Sequence, residues 1–183
     1  RHRLGQDSLA GVRVMVQGLG NVGNALVELL IAEGADVMVA DIDPGRVRLV
    51  VDETGAHPVA LDAVYEAPCD IFSPCGLGGV LNPGHIDQLR CAAVAGAANN
   101  QLADPAAADR LDARGILYAP DYVINAGGLL HVALTHQNVP AQRIAERVSA
   151  IGERLGMIFE QSTAEGRPPS VIADRQAEAI LYD

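Results

Sequence analysis

The chain contains no lysine: all 13 of its basic residues are arginines. Arginine stays protonated near neutral pH, so it can neither shuttle a proton as a free amine nor form a Schiff base. Any reaction that needs a lysine must borrow one from outside this chain. Positive charge is scarce altogether, with 13 cations against 23 acidic residues and a formal net charge of −10. No basic patch interrupts that balance. This excludes nucleic acid and anionic membrane surfaces as partners, because both need clustered cations to neutralise phosphates. An apolar run of the roughly 20 residues that span a bilayer is also missing. The polar start at Arg1, His2 and Arg3 leads into no signal-like segment. A cytoplasmic location is the resulting expectation.

Cysteine is sparse. Cys69, Cys75 and Cys91 are odd in number and lie in strand-like or strand-terminal segments, which suits reduced thiols. His2, His57, His85, His131 and His136 are scattered, without the paired cysteine or carboxylate array of a metal site, so no metal is expected. Repeats and low-complexity segments are absent. What remains is 183 residues with 49% hydrophobic content, enough to bury a substantial core in about one domain with a possible appendage.

The most informative stretch runs from Val12 to Asp41. A β-prone run, Val12 to Val16, leads into Gly18-Leu19-Gly20-Asn21-Val22-Gly23, and a second apolar run, Val37 to Ala40, ends on Asp41. This is a G-x-G-x-x-G dinucleotide fingerprint in its structural setting. Gly18 permits the tight strand-to-helix turn, Gly20 lets the backbone approach a pyrophosphate, and Gly23 lets the helix lie close on the strand. The helix N-terminus offers N–H groups to the anion. Ala25, Leu26, Leu29 and Leu30 supply the helical period, closing at Gly34. Asp41 is placed to meet a ribose 2′-hydroxyl and to repel a 2′-phosphate, which points to NAD over NADP, a preference softened by Arg46 and Arg48 just beyond.

Further along, Pro44 to Thr54 reads as a helix, Asp70 to Ser73 as a buried strand, and Cys75 to Gly79 as a glycine-rich loop. A short helix is expected over His85 to Leu89, then strands over Cys91 to Ala95 and Ile116 to Ala119. Between those strands lies a helix with Asp104 as its cap and Pro105 at its first position. The alternation predicts an α/β fold of Rossmann type, a doubly wound, mostly parallel sheet with C-terminal helices. Residues 1–138 form the expected NAD(P)-binding domain. Residues 139–183 form a helical segment, opened by Pro140 and interrupted at Gly166 and Pro168-Pro169, with Ser170 capping the last helix. Its stripe of Ile144, Val148, Ile151, Leu155 and Ile158 packs either on its own domain or on one outside this chain.

Four unusual loops fall at strand carboxyl ends, where doubly wound sheets bind ligands: 18–23, 74–79, 96–100 and 119–128. Asn99, Asn100 and Asn125 carry amides that both donate and accept, as a nicotinamide carboxamide or a ribose requires. Gly127-Gly128 before an apolar helix leaves room for a cofactor ring.

Four ordered segments carry a family resemblance: Val16 to Gly23, Pro74 to Asn82, Ala95 to Leu102, and Gly115 to Gly128. Together they resemble the cofactor domain of the leucine, phenylalanine and valine dehydrogenases, within the glutamate dehydrogenase superfamily. The resemblance implies NAD-dependent oxidative deamination of an L-amino acid to a 2-oxo acid and ammonia, and the reverse reaction. It further implies that Gly18, Leu19, Gly20, Asn21, Val22 and Gly23 hold the pyrophosphate and Asp41 the ribose. Cys75, Gly76, Asn99 and Asn125 then line the nicotinamide side. Family members usually have alanine at the position of Gly76. Gly127, Gly128, Leu129, Leu130 and Val132 would form the substrate pocket, whose apolar character favours a branched-chain or aromatic amino acid over glutamate.

The family's general base and carboxylate anchor are lysines of an N-terminal domain, so no catalytic residue is expected on this chain. That domain is the expected partner, the complete protein is expected to be a homo-oligomer, and this chain alone is expected to bind NAD without turning over amino acids. Two alternatives compete. One is a free-standing NAD-binding sensor or regulatory module. The other is a hydroxy-acid dehydrogenase, for which neither His131 nor His136 has an acidic partner at helical spacing.

Overall fold

A computed structural model describes residues 2–182. Strand β1 (Arg13–Gln17) pairs in parallel with β2 (Asp36–Ala40) on one side and with β4 (Ile71–Pro74) on the other. Adding β3 (His57–Pro58), β5 (Ala93–Val94) and β6 (Leu117–Tyr118) gives one sheet of order β3-β2-β1-β4-β5-β6, with every pairing parallel. This is the doubly wound Rossmann order expected from the alternation of elements. Chain direction reverses its outward growth between β1 and β4, so the crevice that binds ligands opens beyond the carboxyl ends of those two strands.

Burial on both faces explains why the strands read as continuous apolar runs. Val14 and Val16 of β1 join Val27 and Leu30 of α1 (Asn21–Ala32) and Val50 of α2 (Pro44–Thr54) in the core on one face. Met15 points to the other face, where it meets Phe72, Leu81, Val94, Tyr118 and helices α3 (Pro83–Gln88) and α4 (Ala106–Ala113). Local signals set several boundaries. Asp43 caps α2 by accepting the Gly45 N–H at 2.8 Å, and Gly55 ends that helix at φ +77°. Asp104 accepts the Ala107 N–H at 3.0 Å, but α4 begins at Ala106 with Pro105 at its N-cap, so Asp104 lies one residue before the expected cap position.

Strands β5 and β6 are shorter than the runs Cys91 to Ala95 and Ile116 to Ala119 suggested, β4 is shifted by one residue from Asp70 to Ser73, and three further differences have local causes. Strand β3 was not anticipated, because it has two exposed residues, one of them a proline that only an edge strand tolerates. Helix α3 starts at Pro83, earlier than His85, because Asn82 accepts the His85 N–H at 3.0 Å and so caps the turn before it. The last helix, α8 (Pro169–Tyr182), starts on Pro169 itself, and Ser170 is buried in its first turn instead of capping it.

Beyond β6, α5 (Asp121–Ile124), α6 (Gly127–His136) and the 25-residue α7 (Ala141–Glu165) lead to α8. The apolar stripe of α7 packs on its own neighbours: Ile144, Leu155 and Ile158 are buried, and Ile158 meets Ile172 and Ala173 of α8. Tyr122 ties α5 to α8, its hydroxyl donating to Asp174 Oδ1 at 2.5 Å. Among the described residues, no helix is long and apolar enough to cross a membrane.

Candidate functional site

The carboxyl edge of the sheet carries the predicted loops side by side. Gly18 donates its N–H to Ala40 O at 2.8 Å and Cys75 donates to Gln17 O at 2.7 Å, so the loops after β1, β2 and β4 are continuous with the ladder. Three glycines interlock there. Gly18 adopts φ +99°, and a Cβ on it would lie 2.6 Å from the Gly76 nitrogen. A Cβ on Gly23 would overlap the Gly18 carbonyl oxygen, so α1 can approach the loop only without one. Gly76 is less demanding, since an added Cβ would meet only ordinary contacts, 3.7 Å from Gln17 O and 3.8 Å from Gly18 Cα. Alanine fits at that position.

Gly20, the N-cap of α1, faces open space, and no side chain caps the helix. The first-turn N–H groups have no partner within the helix, which leaves those of Asn21, Val22 and Gly23 without a helical acceptor at this edge. A hollow of about 230 Å³ beside it is lined by Gly20, Asn21, Asn24 and Arg46. Leu19 plays a different part. Its side chain is buried and its N–H goes to Asp41 Oδ2 at 2.6 Å.

Asp41 closes β2 as the fingerprint requires. An open groove of about 550 Å³ extends from it, bounded by Ile42, Arg48, Val59 and Leu61. Ile42 is 83% exposed and Leu61 50% exposed, so two large apolar side chains border the carboxylate. Sequence reasoning missed both. An isoleucine directly after the strand-terminal acid, in a position with nothing to pack on, was the available signal.

Across the β1–β4 switch, the structure brings Asn99 and Asn125 together, with Asn125 Nδ2 donating to Asn99 Oδ1 at 2.7 Å. Asn100 does not join them. It occupies the left-handed region at φ +51°, and its carbonyl accepts the Gly79 N–H at 2.7 Å, so it serves as a turn residue. Cys75 is partly buried, with its Sγ 3.6 Å from Ser73 Oγ and packed toward the α1 core, so only its backbone borders the loop.

Two residues that the sequence reading overlooked hold this corner. Gln101 is fully buried, and its Nε2 donates to Gly96 O and Ala98 O at 2.8 and 2.9 Å. Asp121, 7% exposed, accepts the Gln101 N–H at 2.7 Å on Oδ2 and the Tyr122 N–H at 2.7 Å on Oδ1. Nearby, burial and then the Asp121 charge push the Tyr118 phenol well above its ordinary range.

The expected substrate wall is on α6. Gly127 packs against α7, where a Cβ would sit 3.4 Å from Val148, whereas Gly128 faces open space. Leu129 and Val132 are 76% and 67% exposed. Leu129 also lines a groove of about 390 Å³, together with Leu130, Ile151, Ile180, Arg147 and Arg154. Among the described residues, no three His, Cys, Asp or Glu side chains come together as a metal site.

Comparison with known proteins agrees with this geometry. The chain is 42% identical over 178 residues to leucine dehydrogenase of Thermoactinomyces intermedius, covering 97% of this chain and 49% of that protein. The crystal structure of L-tryptophan dehydrogenase from Nostoc punctiforme matches at a TM-score of 0.94 and 39% identity, over 97% of this chain and 54% of that one. The hetero-hexameric glutamate dehydrogenase of Thermus thermophilus, in a Leu-bound form, matches at 0.71 and 25% identity, over 92% of this chain and 45% of that one. The chain thus spans about half the length of the relatives it matches. A family model described as Glutamate/Leucine/Phenylalanine/Valine dehydrogenase matches residues 43–164. The chain belongs to the glutamate/leucine/phenylalanine/valine dehydrogenase family.

Proposed function

We propose that these residues form the NAD-binding half of an L-amino acid dehydrogenase, acting on a branched-chain or aromatic substrate. The observation that carries the reading is the alignment along one sheet edge. A ribose-facing acid with an apolar groove beside it after β2, an uncapped helix N-terminus after β1 and, across the switch point, a paired amide site after β5 and β6 follow one another. That order suits an adenosine, a diphosphate and a carboxamide.

Bound there, the nicotinamide would accept hydride from the substrate Cα. This chain's residues do the holding: the first turn of α1 takes the diphosphate, Asp41 the ribose hydroxyls, and Asn99 with Asn125 the carboxamide. Asp41 disfavours a 2′-phosphate by charge, which supports NAD over NADP. Leu129 and Val132, exposed beside the open space at Gly128, present apolar surface and so favour an apolar substrate side chain. Gly127 supports that wall from behind.

The resemblance assigns proton transfer and carboxylate binding to lysines, which this chain does not have. With no lysine in 183 residues, the general base and the carboxylate anchor come from a catalytic region outside them. Residues 139–183, whose end exposes Ile180 and Leu181, are the proposed surface for that region.

The test is direct. Incubated with NAD and L-leucine or L-phenylalanine, the isolated polypeptide should bind the cofactor and produce no NADH. Amino-acid-dependent NADH formation by this chain alone would overturn the division of labour.

A further inference from the structure

We propose that Asp121 is a positioning residue for the nicotinamide end of the cofactor, acting through Asn125 and Asn99. The inference rests on the cofactor reading above and adds a residue with no place in the fingerprint.

Asn99 lies on the loop after β5 and Asn125 at the end of α5, so their side chains meet only if those two segments are held in register. Asp121 supplies the link, with one carboxylate oxygen on the Gln101 N–H and the other on the Tyr122 N–H, both at 2.7 Å. Its own backbone N–H receives further support from the Tyr118 hydroxyl at 3.3 Å. Gln101 then fixes the Asn99 loop from within, holding the carbonyls of Gly96 and Ala98. The circuit closes where Asn125 donates its backbone N–H to Asp121 O at 2.9 Å and its side chain to Asn99 Oδ1 at 2.7 Å.

Two consequences follow for the amide pair. The Asn125–Asn99 bond uses one donor and one acceptor, leaving the Asn99 amino group and the Asn125 carbonyl for a ligand. These match the acceptor and donor of a primary carboxamide. The Asp121 carboxylate meets two N–H groups with two acceptor oxygens. An amide in its place accepts with one atom and opposes the second N–H with a donor.

The experiment compares NADH with ADP-ribose, which lacks the nicotinamide, by titration calorimetry on the wild-type chain, Asp121→Asn, Asn125→Ala and the double variant. D121N should weaken NADH by about tenfold, the loss of roughly one well-formed hydrogen bond, and leave ADP-ribose within about twofold. In the N125A background, D121N should add almost nothing, because its effect passes through Asn125. If D121N does not fold, Asp121→Ser, which keeps one acceptor, takes its place in the same comparison.

Equal losses for NADH and ADP-ribose would reduce Asp121 to a general structural residue and overturn the proposal. So would an unchanged NADH affinity, or full additivity with N125A. A wild-type chain that binds ADP-ribose and NADH equally would also overturn it while leaving the cofactor reading intact. A wild-type chain that binds neither would instead bring down the cofactor reading itself, and this inference with it.

Discussion

Asp41 accepts the backbone N–H of Leu19 at 2.6 Å, tying the end of β2 to the glycine loop after β1. Its second oxygen takes the Asp43 N–H at 2.8 Å. The residue assigned to the ribose therefore also fixes the loop assigned to the diphosphate. Asp41→Ala should weaken NADH by roughly ten- to a hundredfold, the scale of a lost charge-assisted hydrogen bond. It should also narrow the gap between NADH and NADPH. Calorimetric titration of both nucleotides measures each effect, and equal affinities in the wild-type chain would remove charge discrimination from the account.

The glycine contacts predict an asymmetry between neighbours. Gly18→Ala places a Cβ against the Gly76 backbone at a φ that L-residues rarely adopt, and should cost about 3 kcal/mol or more. Gly76→Ala meets only ordinary contacts and should stay within about 1 kcal/mol of wild type. Urea unfolding of the two variants separates them, and a stable G18A protein would contradict the packing.

Acid sensitivity should trace in part to the first strand. Hydrogen bonds from the Arg13 side chain, then from its backbone N–H, hold the Asp70 carboxyl below the usual aspartate range. A depressed folded value means that the pair stabilises above the ordinary pKa of about 4. That contribution is lost as pH falls through 4 toward the lower folded value. Asp70→Asn should lower the plateau above pH 6 without changing its slope, and flatten the acid limb of a stability-versus-pH curve so that variant and wild type converge at low pH.

The clasp between α5 and α8 gives an alkaline counterpart. Burial, then the hydrogen bond to Asp174, pushes the Tyr122 phenol well above its ordinary value of about 10. A raised folded value means that the stabilisation is complete below pH 10 and is lost as pH rises toward the folded value. Tyr122→Phe should cost about 1 kcal/mol and remove one late-titrating phenol from an ultraviolet titration, leaving that of Tyr118.

Much of this was legible in the sequence, for local reasons. The β1–α1–β2 unit announces itself because its apolar period, its three glycines and Asp41 all act within about 30 consecutive residues. The Asn99–Asn125 pair was legible only as two candidates, since nothing in the spacing says that the loops after β5 and β6 touch. Asp121 and Gln101 lie inside segments that carry the resemblance but were given no role, for the same reason. Each is an ordinary polar residue until folding buries it beside the other. β3 escaped because two exposed residues at a sheet edge carry no periodicity, and Ser170 misled because Pro169 can begin a helix unaided.

The interlock of Gly18, Gly23 and Gly76 also bears on how fast a ligand can be taken up. Because α1, its preceding loop and the loop after β4 meet backbone to backbone, the seat proposed for a diphosphate would have no slack to remove on binding. The conformational entropy of ordering that loop is lost during folding, and association need not wait on a rearrangement of this segment.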